Sequence, residues 1–164
     1  MASAQVDQVS KGNVVIARKG GSNIFSKITF YQMMRTQIDT ACTTAEAFTK
    51  LYYESVDKKR HQMARLYMDN GLLVWNGNGA NGKDDIQKFF QELPRSEHTL
   101  TTLDTQPIVD DAVATQLTFL IQVSGTVRLS GAPMKPFQQT FMITAQGDKW
   151  KIVSDCFRLQ DGLF

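Results

Sequence analysis

Between Gln116 and Ala145 the chain alternates apolar and polar side chains over two long stretches. Leu117, Phe119, Ile121, Val123, Val127 and Leu129, then Phe137, Phe141, Ile143 and Ala145, occupy the odd positions. Successive side chains of a strand point to opposite faces, so these residues predict one continuous apolar wall. The even positions Thr118, Leu120, Gln122, Thr126, Gln138, Thr140, Met142 and Thr144 are hydroxyls, amides and apolar groups, with Arg128 as the single charge among them. A face so short of charge is uncomfortable alone in water. One oily side and one neutral side predict helices over the first and another protein over the second.

Upstream the period changes. From Thr36, the residues Ile38, Ala41, Cys42, Ala45, Phe48, Tyr52 and Val56 recur at spacings of three and four, which predicts a helix with one buried stripe. Asp57 reads as the N-cap of a second, shorter helix that turns Met63, Leu66 and Tyr67 inward. Leu72 to Trp75 reads as a brief strand. Asp84 to Leu93 reads as a third helix carrying Ile86, Phe89, Phe90 and Leu93, stopped by Pro94.

Everything later is strand, over residues 98–109, 114–129, 136–146 and 149–160. Asp110-Asp111, Ser130-Gly131-Ala132-Pro133 and Gly147-Asp148 supply hairpin or short-turn chemistry between them. Helices first and an antiparallel meander second is α+β architecture. Met1 to Gln32 shows no sustained period, so residues 1–33 read as a flexible basic extension and residues 34–164 as the folded domain. The paired Met33 and Met34 mark where a shorter form can begin.

Composition narrows the functional classes. With 164 residues, 42% hydrophobic and 21% charged, the chain fits one domain with a full core. Cys42 and Cys156 lie far apart in apolar patterns and no N-glycosylation sequon occurs, which fits free thiols in a reducing compartment. No apolar run approaches the roughly 20 residues of a spanning helix, and the N-terminus lacks the order of a secretory signal. Residues 1–35 hold Lys11, Arg18, Lys19, Lys27 and Arg35 against Asp7, so the rest of the chain carries two more acids than bases. A mildly acidic body has no general attraction for a phosphate backbone, which argues against direct nucleic-acid binding. An organelle-targeting arm fits the basic excess of the N-terminus, but Asp7 and poor amphipathicity oppose it.

The sharpest motif is Gly77-Asn78-Gly79-Ala80-Asn81-Gly82-Lys83, which satisfies both G-x-G-x-x-G and G-x-x-x-x-G-K. The Ser or Thr that a magnesium-nucleotide site needs is replaced by Asp84, followed by Asp85, and two carboxylates at a helix start occupy the place of a phosphate. The better reading is a tight turn capped by Asn81 and these acids. His61 and His98 share no metal-ligand spacing and read as surface residues. Asp155, alternating with Val153, Phe157 and Leu159, leaves open an acid-base carboxylate inside an apolar cavity. Lys58, Lys59, Arg60 and Arg65 read as a solvated face, with a nucleic-acid stripe as the alternative. Arg158 shares a strand face with Trp150, Ile152, Ser154 and Cys156, where it either snorkels at the sheet rim or meets a carboxylate of another chain. No catalytic residue, cofactor or metal site is expected.

Several tracts together resemble the family of nuclear transport factor two-related export proteins. They are Thr40-Ala41-Cys42, Ala45-Glu46-Ala47-Phe48, Tyr52-Tyr53, Asp57-Lys58-Lys59-Arg60, Arg65-Leu66-Tyr67, Trp75-Asn76-Gly77-Asn78, Phe89-Phe90-Gln91-Glu92-Leu93-Pro94 and Trp150 through Arg158, in order over about Met34 to Asp161. The resemblance implies a nuclear transport factor two-like cone of helices on a strongly curved antiparallel sheet. It further implies a non-enzymatic small subunit that pairs, sheet against sheet, with a similar domain of the large mRNA export receptor. Such a heterodimer shuttles between nucleus, nuclear pore and cytoplasm and meets nucleoporins chiefly through the large subunit, with no direct nucleic-acid or membrane contact. The family's arginine that pairs with an acid of the large partner matches Arg158, and Gln122, Gln138 and Thr140 are expected beside it. Residues 1–33 and the Gly162-Leu163-Phe164 ending depart from the family pattern. The rival readings are a homodimeric carrier importing the GDP form of Ran and a dehydratase or isomerase on the same fold.

Overall fold

A computed structural model describes residues 6–9, 14–17, 23–108 and 116–160. The chain divides into two compact units, Met1–Asp39 and Thr40–Phe164. In the first, β1 (Val6–Val9) pairs antiparallel with β2 (Val14–Ala17), and α1 (Asn23–Lys58) begins, thirteen residues ahead of the expected Thr36. The expected boundary at residues 33 and 34 thus falls inside α1, while much of the expected extension lies outside the described residues. So do the Asp110-Asp111 turn and the Gly162-Leu163-Phe164 ending.

The second unit holds the remainder of α1, a 3-10 turn (Arg60–Leu66), β3 (Tyr67–Trp75), β4 (Asn78–Asn81), α2 (Lys83–Glu92), β5 (Ser96–Pro107), β6 (Thr118–Leu129), β7 (Lys135–Gln146) and β8 (Lys149–Leu159). Six strands form an open sheet in the order β4-β3-β8-β7-β6-β5. Its β5–β8 portion is the expected antiparallel meander, but β3 joins β8 in parallel, so the sheet is mixed. That pairing is remote in sequence, and no local period announces it. Among the described residues no helix is long and apolar enough to cross a membrane.

The apolar stripe of α1 narrows to Ala41, Ala45, Phe48, Tyr52 and Val56, all buried, whereas Ile38 and Cys42 are exposed. Phe48 and Tyr52 meet the ring of Phe141 edge-on at centroid separations of 5.3 and 4.7 Å, which seats the helix on the inner face of the sheet. Phe119, Ile121, Val123, Val127, Phe137 and Ile143 complete that face, as the alternation predicts. Leu117 is an exception at 41% exposure, just before β6 begins. The expected second helix is only the 3-10 turn. It buries Met63, and Tyr67 opens β3 instead of ending a helix.

Two register shifts re-aim side chains within the sheet. In β8, Ile152 pairs with Ile143 but Ser154 pairs with Met142, so one extra residue sits at Val153. A bulge inverts the alternation that follows it. Trp150 and Ile152 therefore join the core together with Asp155 and Phe157, and do not share the face of Arg158 as strict alternation predicts. In β5 the shift falls between Leu100 and Thr102, opposite Gly125 and Ser124. Gly125 is there because backbone closes over it, and a Cβ at this position would overlap the carbonyl oxygen of Thr99 and crowd Phe137. Gly125→Ala is expected to cost about 2 kcal/mol or more, read as a lower urea midpoint. An unchanged midpoint would contradict this close approach.

Candidate functional site

The outer face of the sheet is ordered into cross-strand rows. Gln106, Leu120, Met142, Ser154 and Leu72 form one; Asp104, Gln122, Thr140, Cys156 and Val74 form the next; Thr102, Ser124, Gln138 and Arg158 form the third. Arg158, Gln122, Gln138 and Thr140 are thus near neighbours, the first three exposed and Thr140 half-buried. Within these rows the only charges are Asp104 and Arg158, at opposite ends. A shallow polar hollow of about 200 Å³ opens among Thr102, Asp104, Gln122, Gln138 and Thr140. Leu72 stands 44% exposed at the margin.

Arg158 is held by its backbone. Asn76 N–H donates to the carbonyl of Phe157 at 2.9 Å, and Asn76 Oδ1 accepts from the N–H of Leu159 at 2.8 Å, bracketing Arg158 on both sides. Asn76 and Gly77 form the two-residue loop between β3 and β4, with φ of 50° and 83°, as a primed hairpin turn requires. Beneath, Phe157 stacks on Trp75 at 3.7 Å and on Phe137 at 5.1 Å. The guanidinium itself forms no ion pair among the described residues. A planar fork fixed at its root and unpaired at its tip suits a carboxylate from another chain.

The same turn accounts for the glycine motif. Gly77–Lys83 is spent on the β3–β4 hairpin and the start of α2, where Gly82 occupies the N-cap with φ of 81° and no side-chain cap forms. Asn81 therefore is not the cap, while Asp84 and Asp85 do sit in the first turn as expected. The motif lies on a hairpin, unlike the strand–loop–helix that cradles a phosphate.

Behind the outer face, Asp155 is fully buried. Its Oδ2 accepts from the hydroxyls of Tyr52 at 2.7 Å and Tyr67 at 2.6 Å, and its Oδ1 accepts from Gln139 Nε2 at 2.7 Å. Gln139 Oε1 in turn accepts from Tyr53 at 2.7 Å. Sequence alternation placed Asp155 inward but missed this network, because Tyr52 and Tyr67 read as apolar core positions and Gln139 lies sixteen residues away on another strand. Burial pushes the Asp155 carboxyl up to about 6, although all three donors favour its charged form. Burial first, then the charge of Asp155, holds Tyr52 and Tyr67 well above the usual phenol value. None of the three described cavities is lined by Asp155. The carboxylate cross-links α1, β3, β7 and β8.

Other expectations need correction. His98 is no surface residue: its ring is 1% exposed, packs on Tyr53 and Phe137, and bonds Asp57 through Nδ1 at 2.7 Å. Asp57 is accordingly not an N-cap but a bridge from the end of α1 to β5, accepting also from His98 N–H at 3.0 Å and Ser96 Oγ at 2.7 Å. Burial raises the Asp57 carboxyl, but the bonds and charge from His98 outweigh it and leave the group below its usual value. Of Lys58, Lys59, Arg60 and Arg65, expected as a solvated face, Arg60 is the departure. Lys59 pairs with Glu54 at 2.8 Å, and Arg60 bonds the carbonyls of Val56, Leu93 and Pro94. Cys42 and Cys156 are free and exposed, and no metal-ligand cluster occurs among the described residues.

The buried carboxylate gives a signed pH dependence. Asp155 keeps its proton longer in the folded chain than in the unfolded one, so its stabilising share is present below about pH 4 and lost as pH rises through about 6. Asp57 runs the opposite way. Comparison with Asp155→Asn cancels Asp57: wild type should lose on the order of 3 kcal/mol relative to the variant between about pH 4 and 6. Urea denaturation across that range checks it, and parallel profiles would contradict the assignment.

The comparisons with known proteins agree with this geometry. The nuclear transport factor 2 (NTF2) domain model matches residues 44–159. The human protein named NTF2-related export protein 2 is 45% identical over 131 residues, covering 77% of this chain and 92% of its own length. Nuclear transport factor 2 from Cryptosporidium parvum superposes with a TM-score of 0.64 at 24% identity, over 76% of this chain and 95% of that one. A chain from the C. albicans Mtr2-Mex67 M domain complex does so with a TM-score of 0.57 at 18% identity, over 71% and 94%. These two structural likenesses are likenesses of fold. The domain match and the human relative together establish that this chain belongs to the NTF2 domain family, among the NTF2-related export proteins.

Proposed function

We propose that this chain is the non-enzymatic small subunit of an mRNA export heterodimer, docking its outer sheet face on a similar domain of the large export receptor. The single observation that carries this reading is the outer face itself: three cross-strand rows of hydroxyls, amides and apolar groups whose two charges, Asp104 and Arg158, stand at opposite ends, the arginine without an ion pair among the described residues. Interface cores are depleted in charge and enriched in arginine, and this face has that composition. The names of the relatives supply the pathway. NTF2-related export protein 2 is an export protein by name, and the Mtr2-Mex67 pair is a complex of a chain with this fold.

In this reading Arg158 forms a bidentate pair with a receptor carboxylate, while Gln122, Gln138 and Thr140 supply the adjoining polar contacts. Residues 34–164 carry the function and residues 1–33 are an extension to it. The heterodimer travels between nucleus, pore and cytoplasm, with nucleoporins met through the large subunit. The body of the chain touches neither nucleic acid nor membrane.

Arg158→Glu is expected to weaken receptor capture by about 2 to 5 kcal/mol, since it leaves the partner's acid desolvated against a like charge. Co-expression with the receptor domain followed by pull-down measures it, with circular dichroism of the variant as the folding check. Undiminished recovery of the folded variant would refute the role of Arg158. Recovery of wild type solely as a homodimer, by light scattering, would favour the Ran-carrier alternative.

A further inference from the structure

A second surface lies away from the outer sheet face. Between α1, the end of the 3-10 turn and the β7–β8 hairpin the Thr40–Phe164 unit opens a groove of about 730 Å³. That size falls within the range of sites that enclose a side chain or small ligand. Its floor is apolar: Phe48, Leu66 and Trp150 line it, and Leu51 projects into it half-exposed. Trp150 is fixed there by stacking on Phe119 at 4.7 Å. Arg65, Lys83, Lys149 and Lys151 form the rim, and no acidic residue lines the groove.

This concentration of cations runs against the net charge of the chain after residue 35, which is acidic. Lys83 pairs with Asp69, which is itself exposed. Lys151 leans on the backbone carbonyl of Arg65. Partial burial first, then the repulsion of Lys83 and Lys149, holds the Lys151 ammonium below its ordinary value, with Asp69 opposing the shift as the counter-charge that Lys83 and Lys151 share. An apolar pit with such a rim selects a ligand that is anionic outside and bulky inside.

We propose that this groove docks a short acidic peptide segment of a partner protein, which inserts one large apolar side chain over Leu51 and Trp150 and sets its carboxylates on the rim. A nucleic-acid strand suits the site less well, because Trp150 already spends one ring face on Phe119 and the cations ring a pit instead of following a track.

The test uses the full chain co-purified with its receptor domain and fluorescein-labelled Glu-Asp-Glu-Phe-Glu-Asp-Glu, followed by fluorescence anisotropy. Saturable binding is expected, weakened about tenfold or more when the peptide's Phe becomes Ala, and weakened as salt is raised. Lys149→Glu and Leu51→Glu should each abolish it while leaving receptor co-purification intact, which separates failure here from failure of the adaptor reading. No anisotropy change up to about 1 mM peptide, equal binding of a Gln-Gln-Gln-Phe-Gln-Gln-Gln control, or binding of oleate in place of the peptide would each overturn the proposal.

Discussion

Strand β8 carries an anionic group on its inner side and a cationic one on its outer side, and the bulge at Val153 is what brings Trp150 and Ile152 onto the inner side beside the anion. Without the extra residue, Trp150 and Ile152 would point outward with Arg158 and the core would lose two large side chains. With it, the inner side reads Trp150, Ile152, Asp155, Phe157 and the outer side reads Ser154, Cys156, Arg158. The inner carboxylate is then pinned by Tyr52, Tyr67 and Gln139, which ties the strand to α1, β3 and β7. A buried charge so heavily bonded contributes specificity of register more than net stability, since desolvation offsets much of its attraction. Here register is what matters, because a slip by one residue would bury Arg158.

The outer face has the complementary problem. Its exposed amides Gln122 and Gln138 face solvent and the Thr102 and Ser124 hydroxyls bond each other, while Leu72, Leu120 and Met142 present apolar surface. Covering the face releases water from the apolar row and pairs Arg158, while the polar rows are neutral enough to be desolvated at modest cost. The large receptor of the proposed heterodimer fills this role. The basic groove between α1 and the β7–β8 hairpin shares no lining residue with the three outer rows, so the proposed arrangement keeps a separate surface for transient contacts.

Much of the fold is legible in the residues. The stripe from Ala41 to Val56, the alternation of β6 and β7, and the turns at Ser130–Pro133 and Gly147-Asp148 each follow from local chemistry, and each is where local chemistry puts it. The outer-face position of Arg158, Gln122, Gln138 and Thr140 follows from the same alternation. What stayed hidden is non-local. The parallel pairing of β3 with β8, the bulge at Val153 and the bridge from Asp57 to His98 join residues remote in sequence, and Asp57 mimics a helix cap in any local window. Gln139 offered a signal, an amide at an odd position among apolar ones, which marks a buried polar partner. Gly125 offered another, a glycine within a strand, where backbone comes close.

Cys156 provides the most direct probe of the central claim. It stands exposed in the middle row of the outer face between Thr140 and Val74, while Cys42 is exposed on α1 and serves as an internal reference. Alkylation of both thiols by N-ethylmaleimide, followed by mass spectrometry of the free chain and of the chain bound to its export receptor, reports which surface the partner covers. The account predicts that binding slows modification of Cys156 strongly and leaves Cys42 unchanged. Equal reactivity of Cys156 in the free and bound chain would contradict it.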